Sequence, residues 1–115
     1  MKPNDTTWKV TALLFSGRPN PEWVLTPVEQ KNWMVLWKQA ALSNTEVASA
    51  SGLGYTGCRL KYDGHSHWQL YNGCVSFYEK ETIFSKKDEE RQMELFLLST
   101  APEEVKGILR GMKII

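Results

Sequence analysis

Two polar side chains held between prolines form the first candidate for binding chemistry. The stretch FSGRPNPEW, residues 15–23, contains Arg18 and Asn20, and each of them is followed by a proline. The prolines push both residues towards extended conformations, so the loop loses little entropy when it is held in one shape. A preorganised loop of this kind, ending in Trp23, suits an anion or an amide-bearing ligand. The structural alternative is that Arg18 pairs with Glu22 or caps nearby carbonyls while Trp23 fills the core.

A second candidate is the polar face of a predicted sheet, which carries aromatic platforms and hydrogen-bond donors suited to a sugar, a peptide or a partner surface. The candidate binding residues on this face are Arg59, His67, Tyr71 and Tyr78, and they share it with Lys61, Gln69, Cys74 and Ser76. The commoner interpretation of such a face is the solvated side of a sheet that is covered on one side only.

The cysteines and histidines support reactive chemistry only weakly. Cys58 and Cys74 fall on opposite faces of the predicted sheet, so they are not expected to form a disulfide. Cys58 is expected to be a small core residue and Cys74 an exposed thiol, with His67 about two residue pairs away. Asp63, His65 and His67 are metal-ligand types, but a metal site needs three or four ligands held in geometry, and these residues straddle a turn.

Motifs that would identify an enzyme are missing from the sequence. It contains no G-x-G-x-x-G, no P-loop, no G-x-S-x-G and no paired carboxylates on a recognisable scaffold. The glycine-rich stretch SGLGYTG precedes a strand rather than a helix, so it lacks the helix N-terminus that favours phosphate binding. The sequence therefore predicts neither catalytic residues nor a cofactor nor a bound metal, and whether the protein is an enzyme stays open, with no activity favoured.

Composition narrows the class of partner. The 115 residues correspond to one domain, residues 1–115, and carry a net charge of +1. This balance gives no electrostatic argument for nucleic acid or an anionic membrane as a partner. No apolar run has the length of a signal peptide or a membrane span, and two cysteines make no disulfide framework. We therefore expect a cytoplasmic protein, while a secreted form whose signal peptide has been removed stays open.

The elements that would position these residues begin with a strand and a helix. WKVTALLF, from Trp8, alternates apolar and polar residues as a half-buried strand does. Thr26, Pro27 and Glu29 form a capping box, which predicts a helix from about Pro27 to Leu42. The five successive apolar residues WMVLW cover the whole circumference of this helix. Val35 therefore lies away from the core-facing side, where it either packs against a second surface or is exposed. The polar segment 43–54 is predicted to be a long loop.

A three-stranded meander is predicted over residues 57–80. Asn72-Gly73 is a strong signal for a two-residue hairpin turn, and a three-residue turn at DGH gives a consistent register. The core face then carries Cys58, Leu60, Trp68, Leu70, Val75 and Phe77. The last strand is predicted to continue towards Phe84.

Two helices are predicted after the meander, one starting in SKKD (Ser85 to Asp88) and one capped by Thr100. The order is β-α-β-β-β-α-α, an α+β fold in which an antiparallel sheet of about four strands has helices packed on one face.

The motifs FSGRPNPEW and, after a helix and a loop, LGYTG resemble those of a group of small, functionally uncharacterised proteins and domains. These carry an FSGRPNP-x-W stretch, an LGYRGF-like stretch and an apolar C-terminal helix near LLSTAP. The similarity extends from Phe15 to about Pro102, but Thr56 stands where the group has arginine and Cys58 where it has phenylalanine. The resemblance implies a single compact domain and no particular reaction.

These observations favour a non-enzymatic binding or interaction module whose partner is an unknown protein or small molecule. Self-association into a homo-oligomer is included, because a second copy can cover exposed apolar surface. The alternative is a small-molecule site, binding or enzymatic, around the GRPNP loop.

Overall fold

A computed structural model describes residues 7–14, 19–46, 55–62 and 65–115. In this part of the chain, six antiparallel strands form one sheet in the order β2-β1-β3-β4-β5-β6. The elements are β1 (Lys9–Ala12), β2 (Glu22–Val24), α1 (Pro27–Gln39), β3 (Cys58–Lys61), β4 (Ser66–Tyr71), β5 (Cys74–Glu79), β6 (Thr82–Lys87), a 3₁₀ turn (Glu89–Arg91), α2 (Gln92–Ser99) and α3 (Glu103–Gly111). The α+β class is as predicted, but the sheet has two more strands than the four expected.

The first additional strand, β2, begins inside the stretch predicted to be a loop. Trp23 pairs with Val10 of β1, and the amide of Ala12 donates to the carbonyl of Pro21 at 3.1 Å. The chain therefore forms a short hairpin before it enters α1. The capping box of α1 is present as predicted, with the Glu29 amide donating to the Thr26 hydroxyl at 3.2 Å.

The second additional strand, β6, results from a tight turn after β5. Lys80 has a φ of 54°, and the chain reverses so that Glu79 pairs with Thr82. The predicted continuation of β5 to Phe84 is therefore wrong, and so is a helix starting at Ser85, which belongs to β6.

Asp88 replaces the predicted cap at the start of α2. Its carboxylate accepts the amides of Met93 at 2.7 Å and Glu94 at 3.0 Å. At the other end of α2, Thr100 is the C-terminal cap, and Pro102 precedes α3 instead. The prediction that Thr100 starts the last helix is wrong.

The meander has the predicted register. Leu60 pairs with Trp68, and Trp68 pairs with Phe77. Asn72 and Gly73 have φ values of 50° and 87°, as a type I′ turn requires. Because a shift of one residue would exchange the two faces, this pairing decides which side chains are available to a ligand.

All three helices contribute buried side chains to the same face of the sheet. Trp33 of α1 meets Trp68 edge to face, with ring centroids 5.5 Å apart. Leu97 of α2 and Leu109 of α3 are fully buried in the same cluster. Val35, on the far side of α1, is 49% exposed. The opposite face of the sheet, called the outer face below, carries the polar side chains. No helix in the described ranges combines the length and the apolarity that crossing a bilayer needs.

Candidate functional site

The outer face of β1, β2 and β3 forms a cleft of about 660 Å³ with the described end of the GRPNP loop. We call it the basic cleft. It is lined by Lys9, Thr11, Leu13, Pro19, Asn20, Glu22, Arg59 and Lys61. Two predicted site residues, Asn20 and Arg59, therefore meet in one place. Arg18, a third, lies outside the described residues.

The pairing of β1 with β3 explains why the basic cleft concentrates positive charge. Lys9 is opposite Lys61, and Thr11 is opposite Arg59, so three cationic side chains share one face. Glu22 on β2 is the acidic residue of the cleft lining, and its carboxylate lies 3.7 Å from the Lys9 ammonium. Because both partners of that pair are about half exposed, solvent screens it strongly.

Arg59 has an unusual hydrogen-bonding state. Its Nε is buried and has no hydrogen-bond partner among the described residues. A buried donor without an acceptor is unfavourable by about 1–3 kcal/mol. A guanidinium also recognises carboxylate and phosphate oxygens in a planar, two-pronged geometry. Arg59 is therefore suited to an anionic ligand in the basic cleft.

Asn20 has a positioning role that the sequence did not reveal. Its Oδ1 accepts a hydrogen bond from the amide of Leu14 at 2.8 Å. This bond fastens the loop to the end of β1 and fixes one wall of the basic cleft.

His67 and Tyr78 lie next to the basic cleft, on the outer face of β4 and β5. Their rings stack at 4.9 Å with an angle of 14° between planes. Burial lowers the pKa of His67, and the positive charges of Arg59 and Lys61 lower it further. The Tyr78 hydroxyl donates to Glu46 at 2.8 Å, and burial together with this bond raises the pKa of Tyr78 to about 12.

Trp23 lies in the core rather than in the basic cleft. It is 7% exposed, and its indole Nε1 donates to the Thr100 hydroxyl at 2.8 Å. This corresponds to the structural alternative for Trp23, and its contacts tie β2 to the end of α2.

Tyr71 is separated from the other candidates. It lines a smaller cavity with Tyr55, Asn72, Arg91 and Glu94. No sequence pattern groups these residues, because Tyr55 precedes β3 while Arg91 and Glu94 belong to the distant start of α2.

Neither cysteine is prepared for nucleophilic chemistry. Both are free, with Cys58 buried and Cys74 partly buried. The Cys74 thiol donates to the Thr45 carbonyl at 3.0 Å. Burial raises the pKa of Cys74 and raises that of Cys58 well above its usual value, which favours the neutral thiol in both.

No metal-ligating group of three or more His, Cys, Asp or Glu side chains occurs in the part of the chain that the structure describes. His65 and His67 lie within it, whereas Asp63 lies outside it. The described geometry thus adds no support for a metal at HSH.

Comparison of the chain with models of protein families, with curated proteins and with solved structures gives no match. The resemblance through FSGRPNPEW and LGYTG stays a prediction.

Proposed function

We propose that the protein is a non-enzymatic binding module whose ligand is a small anion bound in the basic cleft. The observation that carries the proposal is the buried Nε of Arg59, which has no partner among the described residues and lies in a cleft with two lysines. An anion would supply the missing acceptor and compensate the excess positive charge.

The shape of the cleft supports a small ligand rather than a long polymer. Its base is the surface of three paired strands, and the Asn20 side chain fastens the loop wall to the end of β1. A site on strands is preorganised, so little entropy is lost when a ligand binds. The whole chain has a net charge of only +1, so the attraction is local to the cleft.

A protein partner on the outer face is the second candidate. Val24 on β2 and Ile83 on β6 are 54% and 48% exposed, and the His67–Tyr78 stack lies between these two edges. A partner, including a second copy of the chain, would cover these apolar side chains. Sedimentation velocity over a range of protein concentrations separates this candidate from a small-molecule site.

Isothermal titration calorimetry with inorganic phosphate and with citrate, at low ionic strength, tests the anion proposal. We expect saturable binding of at least one of them, weakened at least about tenfold in Lys61→Gln, which corresponds to about 1.4 kcal/mol. Lys61 is exposed, so its substitution leaves the core intact.

Lys87→Gln is the matched control, because it removes the same charge from the outer face but outside the basic cleft. Its affinity should equal that of the wild type. Heat changes that do not saturate, or an equal loss in Lys61→Gln and Lys87→Gln, would indicate general charge attraction and contradict the proposal.

A further inference from the structure

The cavity that contains Tyr71 shares no lining residue with the basic cleft. It has a volume of about 230 Å³ and is lined by polar residues from four parts of the chain. These are Tyr55, Tyr71, Asn72, Arg91, Glu94 and Lys113, and we call their cavity the glutamate cavity.

Glu94 is the most unusual residue of the glutamate cavity. Its side chain is fully buried, and its Oε2 accepts from Arg91 Nη2 at 3.0 Å and from the Tyr55 hydroxyl. Its Oε1 is also buried but has no partner in the described part of the chain. A buried carboxylate oxygen without a donor is unfavourable, so a ligand with an N–H or O–H group would stabilise it.

The backbone next to Glu94 is strained. Glu90 and Arg91 have φ values of 54° and 58°, in the left-handed region that non-glycine residues rarely adopt. Strain of this kind persists only where surrounding contacts enforce it, and it is common at ligand sites. The Arg91 guanidinium, at the end of this segment, lies 3.0 Å from Glu94 Oε2.

The charges of the lining define the ligand further. Arg91 and Lys113 contribute two positive charges and Glu94 one negative charge. Asp88 is also buried, and both of its carboxylate oxygens accept hydrogen bonds from backbone amides. A ligand with only an ammonium would face uncompensated cations, and one with only a carboxylate would leave Glu94 Oε1 without a donor.

The remaining walls are apolar. The rings of Tyr55 and Tyr71 meet edge to face at 6.2 Å, and Ile114 lies beside them. They offer a surface for a short hydrocarbon side chain.

We propose that the glutamate cavity binds a free α-amino acid. The ammonium donates to Glu94 Oε1, the carboxylate lies at Lys113 and Arg91, and the side chain packs against the two tyrosines. The proposal is independent of the basic cleft and concerns binding alone.

Thermal unfolding of the whole chain with each standard amino acid in turn tests the proposal. We expect a dose-dependent rise in the unfolding midpoint with at least one apolar amino acid, such as L-leucine. Two leucine analogues then test the two polar contacts one at a time. The analogue 4-methylpentanoate lacks the ammonium that would contact Glu94, and 3-methylbutylamine lacks the carboxylate that would contact Lys113 and Arg91. Each should bind at least about tenfold more weakly than leucine.

Lys113→Gln should weaken the binding of whichever amino acid raises the unfolding midpoint by at least about tenfold. Lys38→Gln is the control: Lys38 is an exposed residue of α1 outside the glutamate cavity, so its substitution should leave the affinity unchanged. Glu94→Gln should abolish binding where it folds. Since loss of this buried carboxylate can prevent folding, Lys113→Gln and the analogues decide the question. A midpoint that no amino acid raises, or analogues that bind as well as the amino acid, would overturn the proposal.

Discussion

The protonation of His67 depends on the positive charge of the neighbouring basic cleft. Its pKa is lowered by burial and by Arg59 and Lys61, so the folded state resists its protonation. The unfolded chain, in which the histidine pKa is about 6.5, binds this proton more readily. The contribution of His67 to the free energy of unfolding is therefore constant well above pH 6.5, and it is lost progressively as the pH drops through about 6.5.

We expect urea unfolding to give a smaller free energy at pH 5 than at pH 7.5, and His67→Gln to reduce this difference. Lys61→Gln should reduce it too, because one of the charges that lower the His67 pKa is removed. A pH difference that is the same in the wild type and in His67→Gln would show that His67 does not contribute.

At the scale of the element, Gly57 decides how β3 can begin. It has a φ of 110°, and a Cβ atom built there would lie 2.2 Å from the carbonyl oxygen of Leu70 on β4. Its own carbonyl accepts the amide of Leu13 at 2.9 Å, which joins β3 to the end of β1. A side chain at this position must separate strands that the hydrogen bonds hold together.

Gly57→Ala should therefore lower the free energy of unfolding by at least about 2 kcal/mol, because it combines backbone strain with a backbone clash. Gly107→Ala is the matched control. Gly107 lies in α3 with nothing within 4 Å of its built Cβ atom, so alanine should stabilise the protein by about 0.5–1 kcal/mol. Chemical denaturation of both variants measures the change in the free energy of unfolding, which should be negative for Gly57→Ala and positive for Gly107→Ala. Equal changes in the two variants would contradict the prediction.

Local signals predicted the elements that depend on neighbours in sequence. Asn72-Gly73 and the capping box at Thr26 each satisfy backbone groups within a few residues, so the hairpin and the start of α1 could be predicted. The turn at Lys80 contains no glycine or asparagine, and β2 depends on pairing with β1, so both additional strands were missed. For the same reason, the sequence predicted Asn20 and Arg59 as site residues but not Lys9. Lys9 lies beside Lys61 only because β1 pairs with β3, which is distant in the sequence.

At the scale of the whole molecule, buried side chains from β1 to the end of the described chain form one hydrophobic cluster. It includes Val10 near one end and Ile114 near the other, with Cys58 at the centre of the sheet. A contiguous core of this kind is expected to unfold cooperatively, so a probe at its centre should report on the opening of the entire fold.

Cys58 is such a probe, because it is fully buried and its burial raises its pKa. In a Cys74→Ser variant, which leaves Cys58 as the one thiol of the sequence, we expect a disulfide reagent such as DTNB to label it at least about 10³-fold more slowly than a free thiol peptide. Adding Gly57→Ala should speed the labelling, since it lowers the free energy of unfolding. Rapid labelling of Cys58 without any change in overall stability would instead mean that β3 opens locally, and that the sheet beneath the basic cleft is not one rigid base.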